Sequence, residues 1–278
     1  MDGRGAGRRQ LRRSPARRPR GSRATGGSGG LLRPGRRGVG VKSVALRLEG
    51  PLQSWATQSK HGIRGTDREP SKSGVIGLVG AALGVERSDD EAVRSLGELT
   101  FAVRVDRPGS LLRDYHTSGG GTFRGDSSYS VFGIKKGQAV VSERFYLEGA
   151  IFLAALGGEE ERIEEIGEAL RDPRWPLFLG RRACPPSAPV FHGVHDGEPA
   201  EVLTSLPRLL PFGADEGSAT PADEALRVVV ECGPSEGDPR DDVPLSFRPG
   251  RRRHGRRYVK AISVDPPAAR GSTQGGAR

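Results

Sequence analysis

The chain has 278 residues, 34% of them hydrophobic, enough to form one large domain or two small ones around a real core. No apolar stretch approaches the roughly 18 residues of a membrane span, the arginine-rich first residues lack the apolar segment of a secretory signal, and two cysteines are too few for a disulfide framework or a cysteine zinc site. A cytoplasmic protein is expected, and its formal charge of +10 points only weakly to nucleic acid, because residues 1–40 hold twelve arginines against one aspartate and residues 41–278 are left close to neutral.

Residues 1–40 are dominated by Arg, Gly, Ser and Pro without apolar periodicity, so they are expected to be disordered. They read either as translated upstream sequence, with the natural start at Val39 or Val41, or as a nonspecific RNA-binding tail. Ordered structure begins where Val44, Leu46 and Leu48 alternate with Ala45, Arg47 and Glu49, the period of a half-buried strand that Gly50 and Pro51 end. The loop that follows carries Gln53, Trp55, Gln58, Lys60, His61, Arg64 and Arg68, cations and amides suited to phosphates together with one aromatic suited to stacking on a base. Pro70 and Ser71 then start a helix whose Val75, Ile76, Leu78, Val79, Ala82 and Leu83 share one side. Gly74, Gly77 and Gly80 recur along a neighbouring stripe. Each interior glycine costs about 1 kcal/mol relative to alanine, so the stripe implies close approach by another backbone. The N–H groups at the helix start, beside Lys72 and Ser73, form a candidate phosphate site.

Farther along, residues 89–97 read as a short helix capped by Ser88 or Asp89, and residues 100–106 as a strand. Residues 111–146 are glycine-rich and polar between strand-like ends, the pattern of a long hairpin or projection. An apolar strand over 149–156 and an amphipathic helix over 159–170, with Ile163, Ile166 and Leu170 inward, follow. Strand, helix, strand, strand, helix, strand is the outline of an α+β fold of the split βαβ, ferredoxin-like kind. Residues 226–232 and 258–264 are further strand candidates, whereas 203–250 is rich in Pro, Gly and charge and is expected to be mostly loop. The resulting division is an extension over 1–40, a main domain over 41–200, a loop-rich C-terminal β part over 201–264 and a disordered tail over 265–278.

Three segments carry candidate chemistry. Lys60, Arg64, Arg68 and Lys72 can track phosphates, although exposed cations commonly only solvate a surface. Tyr115 and His116, ahead of Lys135 and Lys136, supply the groups for acid-base cleavage of an RNA phosphodiester, with Lys135 stabilising the developing charge. Strand alternation sets Tyr115 and His116 on opposite faces, which favours a structural role for them. Arg181 and Arg182 lie between Gly180, which permits tight backbone approach, and a proline-stiffened stretch, a position that presents a pair of forks to phosphates. His192 and His195 lack a third ligand, so no metal is expected, and no cofactor is implied. The basic run over residues 251–257 is a solvated loop or a further RNA contact.

Taken in order, LRLEGPLQSW, PSKSGVIGLVGAALG, LRDYHT, RFYL and LGRRACPPSAPVF resemble the Cas-five family of RAMP proteins in type I-E CRISPR effector complexes, from about residue 41 to residue 264. The resemblance implies a ferredoxin-like or RRM-like RAMP fold with a thumb hairpin. It further implies a noncatalytic subunit that holds the 5′ handle of the CRISPR RNA, touches a backbone subunit and the large subunit, and meets target DNA only indirectly. Carried onto this chain, the RNA-binding candidates are Gln53, Trp55, Lys60, Arg64, Lys72, Ser73, Arg181 and Arg182. The thumb falls within about 114–144, with Arg124, Lys135, Lys136 and Arg144. Relatives in subtype I-C cleave precursor RNA without metal, and that alternative would rest here on Tyr115, His116 and Lys135.

Overall fold

The computed structural model describes residues 40–57, 59–60, 62–119, 139–213, 225–265 and 267. Its elements run β1 (Val41–Glu49), β2 (Leu52–Gln53), β3 (Ser59–Lys60), β4 (Ile63–Arg64), α1 (Lys72–Leu83), α2 (Asp90–Gly97), β5 (Thr100–Arg107), β6 (Ser110–Gly119) and β7 (Ala139–Glu148). They continue with β8 (Ile151–Glu159), α3 (Glu160–Arg171), β9 (Phe191–Asp196), α4 (Pro199–Ser205), β10 (Leu226–Cys232), β11 (Asp238–Ser246) and β12 (Arg253–Val264).

Seven strands form one antiparallel sheet in the order β11-β12-β10-β5-β8-β1-β9. Its β9-β1-β8-β5 portion, with α1 and α3 as the crossovers, is the ferredoxin-like arrangement expected of the strand and helix order. β10, β12 and β11 extend that sheet past β5. β1 departs from the half-buried expectation: Val44, Ala45, Leu46 and Leu48 are all fully buried. Both faces of the sheet are covered, one by a core that includes Val75, Ile76 and Val79 of α1 with Ile163 and Ile166 of α3, the other by Leu203 and Leu209. Each such side chain contributes about 1.5–3 kcal/mol by leaving water.

Local chemistry explains the boundaries. Ser71 caps α1 by accepting from the Gly74 N–H, and Gly84 closes it in the left-handed conformation at φ 74. Asp89 caps α2 through the Ala92 N–H. Within residues 203–250, β10 forms where a strand was expected over 226–232, and β11 is a strand in a stretch expected to be loop; it tolerates Pro239 and Pro244 because it is an edge strand whose pairing with β12 shifts register twice. Cys184 is buried and Cys232 half-buried, both as free thiols.

A second sheet stands on the first. β6 and β7 pair antiparallel over ten residues, from Ser110 opposite Glu148 to Gly119 opposite Ala139. β2 and β4 line the other side of β7, and β3 pairs with β4. The hairpin tip, with Arg124, Lys135 and Lys136, lies outside the described residues. No helix among the described residues is long and apolar enough to cross a membrane.

Candidate nucleic-acid interface

The loop after β2 is anchored from beneath by two residues that composition marked as RNA contacts. Trp55 is 1% exposed, and its indole N–H donates to Gln53 Oε1 at 3.0 Å. Gln53, also buried, donates to the carbonyls of Leu48 and Ala150 at 3.1 and 2.8 Å. Neither side chain reaches solvent, so both shape the loop instead of meeting a ligand. The tryptophan ring also explains one of the three helix glycines: a Cβ on Gly74 would sit 2.8 Å from Trp55 Cε3. At Gly77 and Gly80 the nearest atoms would be 3.9 and 3.8 Å away. The expected backbone contact along the whole stripe is therefore a side-chain contact at one position.

Above this anchor, the Trp55 N–H donates to Thr66 Oγ1 at 2.9 Å and the Thr57 N–H to Asp67 Oδ2 at 3.0 Å, which folds the loop back on itself. The Glu143 N–H, donating to the Gly62 carbonyl at 2.8 Å, ties the loop to the hairpin. Arg181 completes the joint. Its guanidinium donates to the carbonyls of Arg64, Gly65 and Phe145 at 2.7, 2.9 and 3.2 Å and stacks 4.8 Å from the Tyr146 ring centre. Gly180 lies at φ 87, and a Cβ there would collide with the Ser54 carbonyl, so tight approach at this glycine is realised.

The two neighbouring arginines thus have different surroundings. Arg181 is turned inward as a clamp. Arg182 is exposed beside it, and with exposed Arg64 and Arg68 it has no ion-pair partner among the described residues. Arg144, half-buried on β7, donates to Ser142 Oγ at 3.3 Å. The backbone of Lys60 joins β3 to β4.

The helix start is not a vacant phosphate site. The Lys72 N–H donates to Asp242 Oδ2 at 2.8 Å, and the N–H groups of Gly74 and Val75 are taken by Ser71. The protein supplies its own anion there. The Lys72 side chain is 4% exposed and pairs with Glu231 at 3.0 Å, while Ser73 is half-buried. Burial pushes the Lys72 ammonium pKa down against the pull of Glu231. Arg257 grips Asp242 with two bonds of 2.6 and 2.8 Å, and nearby Glu69 is held by Arg227 and Arg240. Burial raises both carboxyls, yet their arginines hold Glu69 and Asp242 below the ordinary carboxylate range. This network escaped sequence reading because its partners are far apart in the chain, Lys72 and Asp242 by 170 positions, and because Arg240 and Asp242 lie in a stretch read as loop.

A family model described as CRISPR-associated protein (Cas_Cas5) matches residues 43–260, from β1 into β12. The chain belongs to this Cas5 family. It is 37% identical over 185 residues to the CRISPR system Cascade subunit CasD of Escherichia coli (strain K12), covering 62% of this chain and 79% of that protein. Among solved structures, "Crystal structure of Cas protein" matches with TM-score 0.61 at 32% identity, covering 82% of this chain and 98% of the other. A chain of "CRISPR RNA-guided surveillance complex" matches with TM-score 0.65 at 32% identity, covering 81% and 91%.

On the hairpin of this Cas5-family chain, Tyr115 is 68% exposed and opposes Glu143, while His116 opposes Ser142 on the other face. His116 Nδ1 lies 3.6 Å from Asp114 Oδ2, its neighbour on that face. The two rings therefore project from opposite faces of the strand. Among the described residues no cluster of three or more His, Cys, Asp or Glu is arranged to hold a metal.

Proposed function

We propose that this Cas5-family chain is a noncatalytic subunit of a Cascade-type surveillance complex and holds the 5′ handle of the CRISPR RNA at the base of its β6–β7 hairpin. The observation that carries this reading is the joint built by Arg181. Fastening loop 54–68 to β7 through three carbonyls leaves Arg64, Arg68 and Arg182 outward on a rigid frame, where they meet successive phosphates. Unpaired nucleotides held this way expose their bases to nearby polar groups, and Ser73 and Arg144 are the candidates at the rim. Gln53, Trp55, Lys72 and Arg181 act one layer below, by setting the frame. The likeness to CasD and to a chain of a surveillance complex supports assembly with CRISPR RNA and the other subunits. In that assembly the hairpin serves as the thumb that bends the guide beside a backbone subunit, and the large subunit packs alongside.

Fluorescence anisotropy with handle-containing RNA tests the reading. Combined Arg64→Ala and Arg182→Ala substitution is expected to weaken binding and to lower the slope of log affinity against log salt by about 1.4, two single-strand phosphate contacts. Unchanged affinity at two salt concentrations refutes it. Incubation of labelled repeat RNA with the protein in EDTA separates the endoribonuclease alternative, for which a discrete product lost in His116→Ala would be the signature.

A further inference from the structure

Among the described residues, the turn between β11 and β12 is a second strongly basic surface. Residues 248–257 contain six arginines, and the structure divides them in two groups. Arg256 is bonded to Asp241, Arg257 to Asp242, and Arg248 to Asp90 at 3.2 Å and to the Ser88 carbonyl at 2.7 Å. Arg251, Arg252 and Arg253 are consecutive and exposed, and have no ion-pair or side-chain hydrogen-bond partner among the described residues. Gly250, at φ 72 with open space around it, and the Arg251 N–H donating to the Arg248 carbonyl at 3.0 Å close the turn and fix the direction of the three.

The patch continues onto α2. Arg94 on α2 and Arg87 just before it are exposed. The Asp90 carboxyl is held below its ordinary range by a hydrogen bond from Ser246 and by the charges of Arg248, Arg94 and Arg253, which places these arginines around one carboxylate. The other acids of that corner are Asp89, whose carboxylate caps α2, and exposed Glu86 and Glu91. The arginines outnumber them. Three adjacent like charges repel one another, and the pairs that tie the turn down are made by Arg248, Arg256 and Arg257, with Arg253 acting on Asp90 only as a charge at longer range.

We propose that Arg251, Arg252 and Arg253 form a second polyanion contact, one that takes the phosphate backbone of double-stranded DNA. A duplex fits better than a single strand because the turn offers cations without a stacking platform: no Phe, Tyr or Trp occurs over residues 248–257, Phe247 faces α1 at Gly77, and Tyr258 is half-buried within the sheet between Cys232 and Pro239. Guanidiniums on a convex turn neutralise phosphates without reading bases, so the contact adds affinity and no sequence preference. This surface is independent of the hairpin base proposed to hold RNA.

The full chain, with a mixed-sequence duplex DNA as probe and handle-containing single-stranded RNA in parallel, provides the test. Replacing all three arginines by alanine is expected to reduce the salt slope for the duplex by about 2.7, at 0.9 per phosphate contact, and to leave RNA affinity unchanged. A triple lysine variant is expected to retain most of the duplex slope, since phosphate contact requires charge more than fork geometry. Equal duplex slopes for wild type and the alanine variant overturn the proposal. So does a lysine variant as impaired as the alanine one, or equal loss of RNA and DNA binding. Failure of the wild type to bind handle RNA, with the duplex effect intact, would instead remove the RNA reading and leave this one standing.

Discussion

Arg181 and Arg182 show how two identical side chains in sequence acquire separate tasks. The two terminal nitrogens of the Arg181 guanidinium are spent on three backbone carbonyls and its face on the Tyr146 ring, whereas Arg182 faces solvent. Arg181→Ala is therefore expected to cost about 1.5–3 kcal/mol, the range for hydrogen bonds to a charged group. Arg182→Ala is expected to leave stability within about 0.5 kcal/mol while weakening RNA binding. Thermal unfolding followed by an RNA titration checks both, and equal melting temperatures for the two variants would contradict the clamp. Lys72 belongs with Arg181. Its ammonium is sealed against Glu231, so Lys72→Met is expected to leave RNA affinity within about twofold, provided the fold is intact by circular dichroism.

At the scale of elements, α1 and the loop above it are fitted to each other through one glycine. Gly74→Ala drives a Cβ into the Trp55 ring and is expected to destabilise by about 1–3 kcal/mol, as overpacking does. At Gly77 of the same helix an added Cβ would meet only Phe247, at an ordinary van der Waals distance of 3.9 Å, and Gly77→Ala is expected to stabilise by up to about 1 kcal/mol. Urea midpoints of the two variants shifting in opposite directions would bear this out. The same element-level logic explains β11, which reads as loop because Pro239 and Pro244 cannot donate to a ladder. At a sheet edge with two register shifts they need not.

Across the whole molecule, the charged network at the start of α1 joins the ferredoxin-like part to the C-terminal strands. Glu69 and Asp242 have carboxyls held below their unfolded values, so each contributes stability that is full above the ordinary carboxylate range and lost as pH falls through the lower folded value. Stability is thus expected to fall on acidification below about pH 4, where unfolded carboxylates begin to take protons. Glu69→Gln should flatten part of that fall, seen as a smaller difference between urea midpoints at neutral and acid pH. An identical pH dependence in the variant would show that the pairs with Arg227 and Arg240 contribute little.

Periodicity over about ten residues was enough to read β1, α1, α2, β5, the hairpin arms, β8, α3 and β10, and with them the strand and helix order of the ferredoxin-like part, because amphipathic spacing records which local face is buried. The ordered segments from LRLEGPLQSW to LGRRACPPSAPVF likewise carried the family. What sequence could not resolve was the partner of each charge. Asp242 meets Lys72 across 170 positions and Arg181 meets Arg64 across 117, and nothing local distinguishes these paired cations from the outward Arg182. Only folding decides that, since an ion buried in low dielectric must find its partner in space and the chain between them leaves no periodic trace.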